Sequence, residues 1–167
     1  MTLSLTGSSM TTIRKATEAD LPNMCELGEE VNSLHHFKTP HLFAAPGLPE
    51  RSEAHWKNSL ISEKAVAFVA LDGQKIIGFI TATIVDETHV LMQPMRFGKI
   101  GTVGVAAQMR GKGVDRQLMQ SSHEWIENQG GIQLRLTVGS FNTGAIHLYE
   151  ELGYEIESHN FIRTLPK

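Results

Sequence analysis

The sequence predicts a single α/β domain built on a mixed sheet that is flanked by helices. Apolar strand-like runs alternate with helical patterns, Asp72-Gly73 separates two such runs, and a strand, a helix and a strand follow one another over residues 97–138. A tight hairpin joins antiparallel strands, whereas a helical crossover joins parallel strands. Both kinds of pairing are therefore expected in one sheet.

Length and composition fit one globular domain. The 167 residues are 41% hydrophobic and 20% charged, which allows one sizeable core. The net charge of −3 gives no general attraction to nucleic acid or to an anionic membrane. A single cysteine, Cys25, excludes an internal disulfide, and no membrane span is present. The first residues do not resemble a signal peptide, so we expect a cytoplasmic protein.

The N-terminal half predicts a flexible tail at 1–11 and then a domain over 12–167. The intervals between Met24, Leu27 and Val31 are those of an amphipathic helix, and clustered prolines predict a loop after it. The predicted elements are a strand at 12–16, a helix at 17–35, a loop at 36–49, a helix at 50–63 and strands at 65–71 and 75–85.

Glycines divide the C-terminal half. Val114, Leu118 and Ile126 share one helical face with Trp125, and Gly130 follows the end of that helix. The strands on either side are expected to be parallel, with a right-handed connection. The predicted elements are a strand at 97–105, a helix at 114–128, a strand at 133–138, a turn at 139–144, a helix at 145–152 and a last strand at 154–163.

Residues 104–114 combine the end of a strand, a glycine-rich turn and the start of a helix. Such a turn points backbone N–H groups outward, and the unpaired donors of the helix complete an anion site. A P-loop is excluded because Gly113 follows Lys112 where Ser or Thr is needed. A dinucleotide fingerprint is excluded because Arg116 stands where a third glycine is needed. A phosphate-bearing ligand of another kind is predicted.

Two motifs in this half resemble the GNAT superfamily of N-acetyltransferases. Gln108-x-x-Gly111-x-Gly113 is similar to the family's acyl-CoA pyrophosphate loop. Residues 142–154 are similar to its late Asn-x-x-Ala-x-x-Leu-Tyr-x-x-x-Gly-Phe segment, with Tyr154 in the Phe position. The resemblance implies a GNAT-like fold whose mixed sheet is splayed between the strands at 97–105 and 133–138, with acetyl-CoA in the gap.

The resemblance also implies which residues contact acetyl-CoA. The backbone of Val103, Gly104 and Val105 would pair with the pantetheine amides as with an added strand, and Asn142 would contact the pantetheine arm. Tyr149 would be the general acid for the departing thiolate, the alternative being a packed core tyrosine. The amides that would hold the pyrophosphate belong to Gln108, Met109, Arg110, Gly111, Lys112, Gly113 and Val114.

The implied reaction is direct transfer of an acetyl group to a primary amine of a small molecule or a peptide, in a ternary complex. Some relatives carry a glutamate base on a central strand, but this chain has Lys99 and Thr102 on one such strand and Arg135 and Thr137 on the other. The general base is therefore not assigned, and the alternatives are ordered water, a main-chain carbonyl and a side chain of the rim. The rim candidates are Glu30, His35 and His36.

Other functions stay open beside this one. A non-catalytic acyl-CoA-binding or regulatory domain and a transferase of longer acyl groups are the alternatives. No metal site is predicted, because the eight histidines are accompanied by neither paired cysteines nor an HExxH motif. Homodimers are common in the resembled family, although no interface is specified here. Residues 35–56 are expected to shape the acceptor pocket.

Overall fold

The computed structural model of the chain describes residues 10–166, which form two compact units, one ending at Thr137 and one beginning at Val138. Residues 1–9 of the predicted tail lie outside the described part. Thr11, also assigned to the tail, is already the first residue of a strand.

The first unit is a five-stranded sheet with strand order β1-β2-β3-β4-β5. Neighbours from β1 to β4 are antiparallel and β4 pairs in parallel with β5, which confirms the mixed sheet, the hairpin and the crossover. The elements are β1 (Thr11–Lys15), α1 (Leu21–Lys38), α2 (Glu53–Ile61), β2 (Ala65–Asp72), β3 (Lys75–Glu87), β4 (Met95–Val105), α3 (Val114–Asn128) and β5 (Leu134–Arg135). Short 3₁₀ turns occupy Glu18–Asp20, Pro49–Ser52 and Ala107–Met109.

The second unit contains one helix, α4 (Thr143–Glu151). The predicted last strand at 154–163 is wrong, because no strand is present in 154–166. A strand persists only where its N–H and C=O groups pair with a neighbour; no described residue provides that ladder, and Phe161 is 93% exposed. For the same reason β5 is shorter than the predicted strand at 133–138: only its two residues pair with β4.

One face of the sheet packs against α1 and α2. Met24 of α1 and Trp56 of α2 meet Val69 and Phe79 in a single buried cluster, where the rings of Trp56 and Phe79 are 5.1 Å apart. Gly28 lets α1 lie close to Trp56 of α2, since a Cβ at Gly28 would lie 2.7 Å from the Trp56 ring. This contact fixes both helices above β2 and β3.

The opposite face packs against α3, whose predicted apolar side is buried. Gly98 permits close contact with β4, because an added Cβ would lie 2.3 Å from Cδ1 of Ile126. Ile126 is 1% exposed, whereas Trp125 is only half-buried at the edge. The N-terminus of α3 is thereby held beside the C-terminal end of β4.

An ion pair ties β1 to the start of α1. Arg14 donates from both terminal nitrogens to the Asp20 carboxylate, at 2.7 and 2.9 Å, and the N–H of Thr17 donates to the same carboxylate at 2.8 Å. The guanidinium of Arg14 holds the pKa of Asp20 below its usual range, although burial opposes this.

Candidate active site

The strand β4 has an open edge along its C-terminal half. β5 pairs only with Gly98 and Lys99, and in residues 10–166 no strand pairs with 100–105 on that side. Ala106 N–H donates to Ile77 of β3 at 2.9 Å. Since N–H direction alternates along a strand, the N–H groups of Val105 and Val103 point away from β3, toward the open edge. β4 and β5 therefore separate after Lys99, the last residue of β4 that pairs with β5.

A β-bulge lies where the pairing with β5 stops. The register of β3 and β4 shifts between Ile80 and Ala82, opposite Gly101 and Thr102. The Thr81 hydroxyl accepts from the N–H of Thr102 at 3.0 Å, and a Cβ at Gly101 would lie 2.4 Å from that oxygen. Bulges redirect a strand, so Thr81 and Gly101 together shape the inner end of the open edge. No local sequence signal pointed to Thr81, because it belongs to another strand.

The predicted anion loop follows β4 directly. Gly111 and Gly113 have φ angles of +72° and +80°, a region that favours glycine, and Gly113 is the N-cap of α3. Within the described chain, the N–H groups of Gly111, Lys112 and Gly113 make no hydrogen bond. Together with the first-turn donors of α3, they form a ready site for an anionic group.

Side chains around the loop add charge of both signs. Arg110 donates from Nε to the carbonyl of Val105 at 3.2 Å, which bends it back along β4. Lys112 and Gln108 are exposed. Asp115, in the first turn of α3, accepts from the N–H of Arg116 at 2.8 Å. The loop and the first turn of α3 therefore carry three cationic side chains, Arg110, Lys112 and Arg116, and one carboxylate, Asp115.

In the second unit, Asn142 and Tyr149 lie at the start and within α4. The carboxamide oxygen of Asn142 caps the helix by accepting from Ala145 N–H at 3.3 Å, and its Nδ2 makes no hydrogen bond within residues 10–166. Tyr149 is half-buried, with its ring 5.8 Å from that of Tyr154. Burial raises the pKa of Tyr154 above its usual value.

The rim histidines are held by backbone carbonyls. Nδ1 of His35 lies 2.7 Å from the Val31 oxygen, and Nδ1 of His36 lies 2.8 Å from the Phe43 oxygen. The ring of His35 also packs 4.7 Å from that of Phe43. Glu30 is exposed. These contacts fix the loop after α1 but single out no base.

Other reactive groups and ligand sets add nothing to the site. Cys25 is buried, and burial raises the pKa of its thiol, so it is not an activated nucleophile. No group of three or more metal-ligating side chains occurs in residues 10–166. None of the described helices has the length and apolar character needed to cross a membrane.

An open strand edge beside a helix-terminal anion loop suits an extended ligand that ends in an anionic group. Residues 29–154 match the sequence model of the Acetyltransferase (GNAT) family. Since the match spans most of the chain, this protein belongs to the GNAT acetyltransferase family.

Individual curated proteins match the sequence of this chain at low identity. The chain is 26% identical over 146 residues to the uncharacterized N-acetyltransferase MJ1207 of Methanocaldococcus jannaschii, covering 86% of this chain and 60% of that protein. It is 25% identical over 95 residues to N-acetyltransferase family 8 member 2 of Rattus norvegicus, covering 57% of this chain and 41% of the rat protein. The chain thus spans less than two thirds of these curated relatives.

Solved structures share the fold. A mutant of the BH1408 protein from Bacillus halodurans superposes with a TM-score of 0.85 at 22% identity, covering 93% of this chain and 99% of that one. The aminoglycoside N-acetyltransferase AAC(6')-Iy in complex with CoA has a TM-score of 0.71 at 17% identity, covering 93% of this chain and 100% of the other. The mixed α/β architecture is therefore that of the GNAT fold.

Proposed function

We propose that this chain transfers an acetyl group from acetyl-CoA to a primary amine by direct attack in a ternary complex. The observation that carries this is the continuity of the open edge of β4 with the anion loop at 111–113. An extended amide-bearing arm fits the edge, and a pyrophosphate fits the loop. Acyl-CoA carries both groups in that order.

The length of the edge suits the donor. From Val105 back to Gly101, extended strand spans about 13 Å, comparable to an extended pantetheine arm. With the pyrophosphate at Gly111 to Val114, the thioester would lie near the bulge at Gly101. The outward N–H groups of Val103 and Val105 would donate to carbonyls of the arm, and Nδ2 of Asn142 would donate to the same arm.

The chemistry needs no enzyme nucleophile. The amine nitrogen attacks the thioester carbonyl carbon, the new C–N bond forms and the C–S bond breaks. The Tyr149 hydroxyl donates its proton to the departing thiolate, since a phenol and a thiolate have comparable basicity. The amine proton leaves to a base that we do not assign.

The acceptor in this proposal is a small molecule or a peptide. Cytoplasmic location and homodimerisation stay predictions.

Two matched glycine variants test the donor site. Gly111→Glu and Gly73→Glu both place a glutamate at a positive φ, +72° and +61°, where an added Cβ has nothing within 4 Å. The backbone cost is therefore alike, about 1–2 kcal/mol. Only Gly111→Glu sets a carboxylate against the pyrophosphate; at ~6 Å and an effective dielectric constant of ~20 this costs about 3 kcal/mol.

Calorimetric titration with CoA should show roughly 100-fold weaker binding for Gly111→Glu and unchanged binding for Gly73→Glu. Equal affinities in the two variants would refute the assignment of the loop.

Tyr149→Phe should keep CoA affinity and lose most thiol release with an accepted amine. Full turnover of Tyr149→Phe would rule out Tyr149 as the general acid. Binding without thiol release over a broad amine panel would identify a non-catalytic acyl-CoA-binding domain, and faster turnover of longer acyl-CoA would change the assigned acyl group.

A further inference from the structure

A side chain from β3 fixes the peptide unit between Gly101 and Thr102, at the open edge of β4. The strand register places Thr81 opposite both residues, and the N–H of Thr102 donates to the Thr81 hydroxyl at 3.0 Å. In a planar trans peptide the N–H and the C=O point in opposite directions. Because this N–H points toward β3, the Gly101 carbonyl points away from β3, toward the open edge.

The group that holds this peptide unit belongs to the core. Thr81 is 7% exposed, and its partner on β2 is Ala67, which lies in the buried cluster of α1 and α2. The Thr81 hydroxyl oxygen fills the space that a side chain at position 101 would need, since a Cβ on Gly101 would lie 2.4 Å from it. A closely packed side chain therefore sets the direction of a carbonyl at the edge of the sheet.

The Gly101 carbonyl is available to a ligand. Gly101 is exposed, and β5 pairs with β4 only as far as Lys99. Outside the β3–β4 ladder, no group of residues 10–166 donates a hydrogen bond to this carbonyl. A main-chain carbonyl accepts from any N–H group that reaches it.

This carbonyl lies where donor and acceptor would meet. In the proposed function the arm of acetyl-CoA occupies the edge at Val103 and Val105, and the thioester lies near Gly101. A thioester has no N–H group, so the donor molecule offers no hydrogen-bond donor at this level of the edge. A partner for the Gly101 carbonyl therefore has to come from the acceptor, whose amine nitrogen carries N–H groups.

We propose that the Gly101 carbonyl accepts a hydrogen bond from the acceptor amine and directs its lone pair at the thioester carbon, with Thr81 as the positioning residue that holds this carbonyl outward. This inference rests on the proposed function and specifies how its acceptor is bound. One N–H of a primary amine stays on the Gly101 oxygen during attack, while the other proton leaves to the base. An N-methyl amine has a single N–H, which cannot serve both purposes, so primary amines are preferred.

Substitutions of Thr81 test this with the full chain and acetyl-CoA. Thr81→Val keeps the shape of the side chain but removes the acceptor of the Thr102 N–H, so the peptide unit is no longer held. For the most active primary amine of a broad panel, kcat/KM should fall about tenfold, the value of one hydrogen bond. Thr81→Ser should retain the activity. The matched control is Thr83→Val, the same change two residues along β3, which should leave kcat/KM unchanged.

Two readouts separate positioning from a general loss of structure. The ratio of kcat/KM for that primary amine to kcat/KM for its N-methyl derivative should fall about tenfold in Thr81→Val, because only the primary amine loses a hydrogen bond. CoA affinity, measured by calorimetric titration, should stay the same; weaker CoA binding would show that the carbonyl serves the donor and would overturn the inference. If Thr81→Val does not fold, Thr81→Ala, which also lacks the hydroxyl, provides the same comparison.

The failures of the two proposals are distinguishable. If amines are acetylated and the ratio is the same in Thr81→Val as in wild type, this inference is wrong and the acetyltransferase remains. If no amine is acetylated, the proposed function fails first, and NMR of the CoA-bound protein then decides the inference. Titration with phenethylamine and cadaverine should shift the carbonyl ¹³C resonance of Gly101 in wild type but not in Thr81→Val. No shift with either amine, or an equal shift in both proteins, would refute the inference.

Discussion

Replacing Gly98 by alanine tests how closely α3 must lie on β4. The added Cβ would be 2.3, 2.4 and 2.5 Å from three carbons of Ile126, whereas carbons in contact are about 3.5–4.0 Å apart. Gly131 packs closely against Ile126 as well, since a Cβ there would be 2.6 Å from Cγ2 of Ile126. Overpacking of this kind costs about 1–3 kcal/mol. We expect the upper part of that range for the loss in unfolding free energy.

A double-mutant cycle with Ile126→Ala isolates the contact. Ile126→Ala alone should cost about 2–5 kcal/mol, because it opens a cavity. In that background Gly98→Ala should cost little, because its methyl group enters the vacated space. Urea unfolding followed by circular dichroism would then give a coupling energy of about 2 kcal/mol. Additive losses, with no coupling, would show that Ile126 does not lie against Gly98 as the structure has it.

Two further substitutions test the first unit. Asp20→Asn should lower the unfolding free energy by roughly 2–3 kcal/mol, because it breaks the paired hydrogen bonds from Arg14. The pKa of Asp20 is lowered in the folded state, so its stabilisation of the fold is complete above the unfolded pKa of about 3.9 and is lost as the pH falls through the folded pKa. Acid titration should therefore destabilise wild type more than Asp20→Asn. Parallel curves of unfolding free energy against pH for the two proteins would contradict this. Ser122→Ala should stabilise by up to about 1 kcal/mol more than Ser121→Ala, because only Ser122 has a buried hydroxyl without a partner. Equal effects on the unfolding midpoint would show that this hydroxyl costs nothing.

Sequence reasoning succeeded where a feature depends on adjacent residues. The helix start after Gly113, the hairpin at Asp72-Gly73 and the loop glycines all follow from local backbone preferences, and the structure has them at the expected positions. The assigned roles of Val103 and Tyr149 remain predictions that the variants above can test.

Features that depend on a partner strand were harder to predict from the sequence. Residues 154–157 alternate apolar and polar side chains, but alternation specifies a strand only when an edge is available for it. The same limit applies to Thr81, whose hydroxyl supports the bulge in β4 from a position 21 residues earlier in the chain. Only the register of β3 against β4 brings these groups together.

The register also brings together two cationic residues that are separate in the sequence. Lys99 and Arg135 lie on β4 and β5, neither of which carries a carboxylate, and the two residues pair with each other. A cation near the reacting nitrogen disfavours its protonated form and so lowers the pKa of the acceptor ammonium. More of the amine is then neutral at a given pH, and a weak base such as water suffices to remove the last proton. Because kcat reports ionisations in the enzyme–substrate complex, the pH at which kcat reaches half its maximum should be higher in Lys99→Met than in wild type for an uncharged-tail amine such as phenethylamine. An unchanged pH profile of kcat would show that Lys99 does not assist deprotonation of the acceptor.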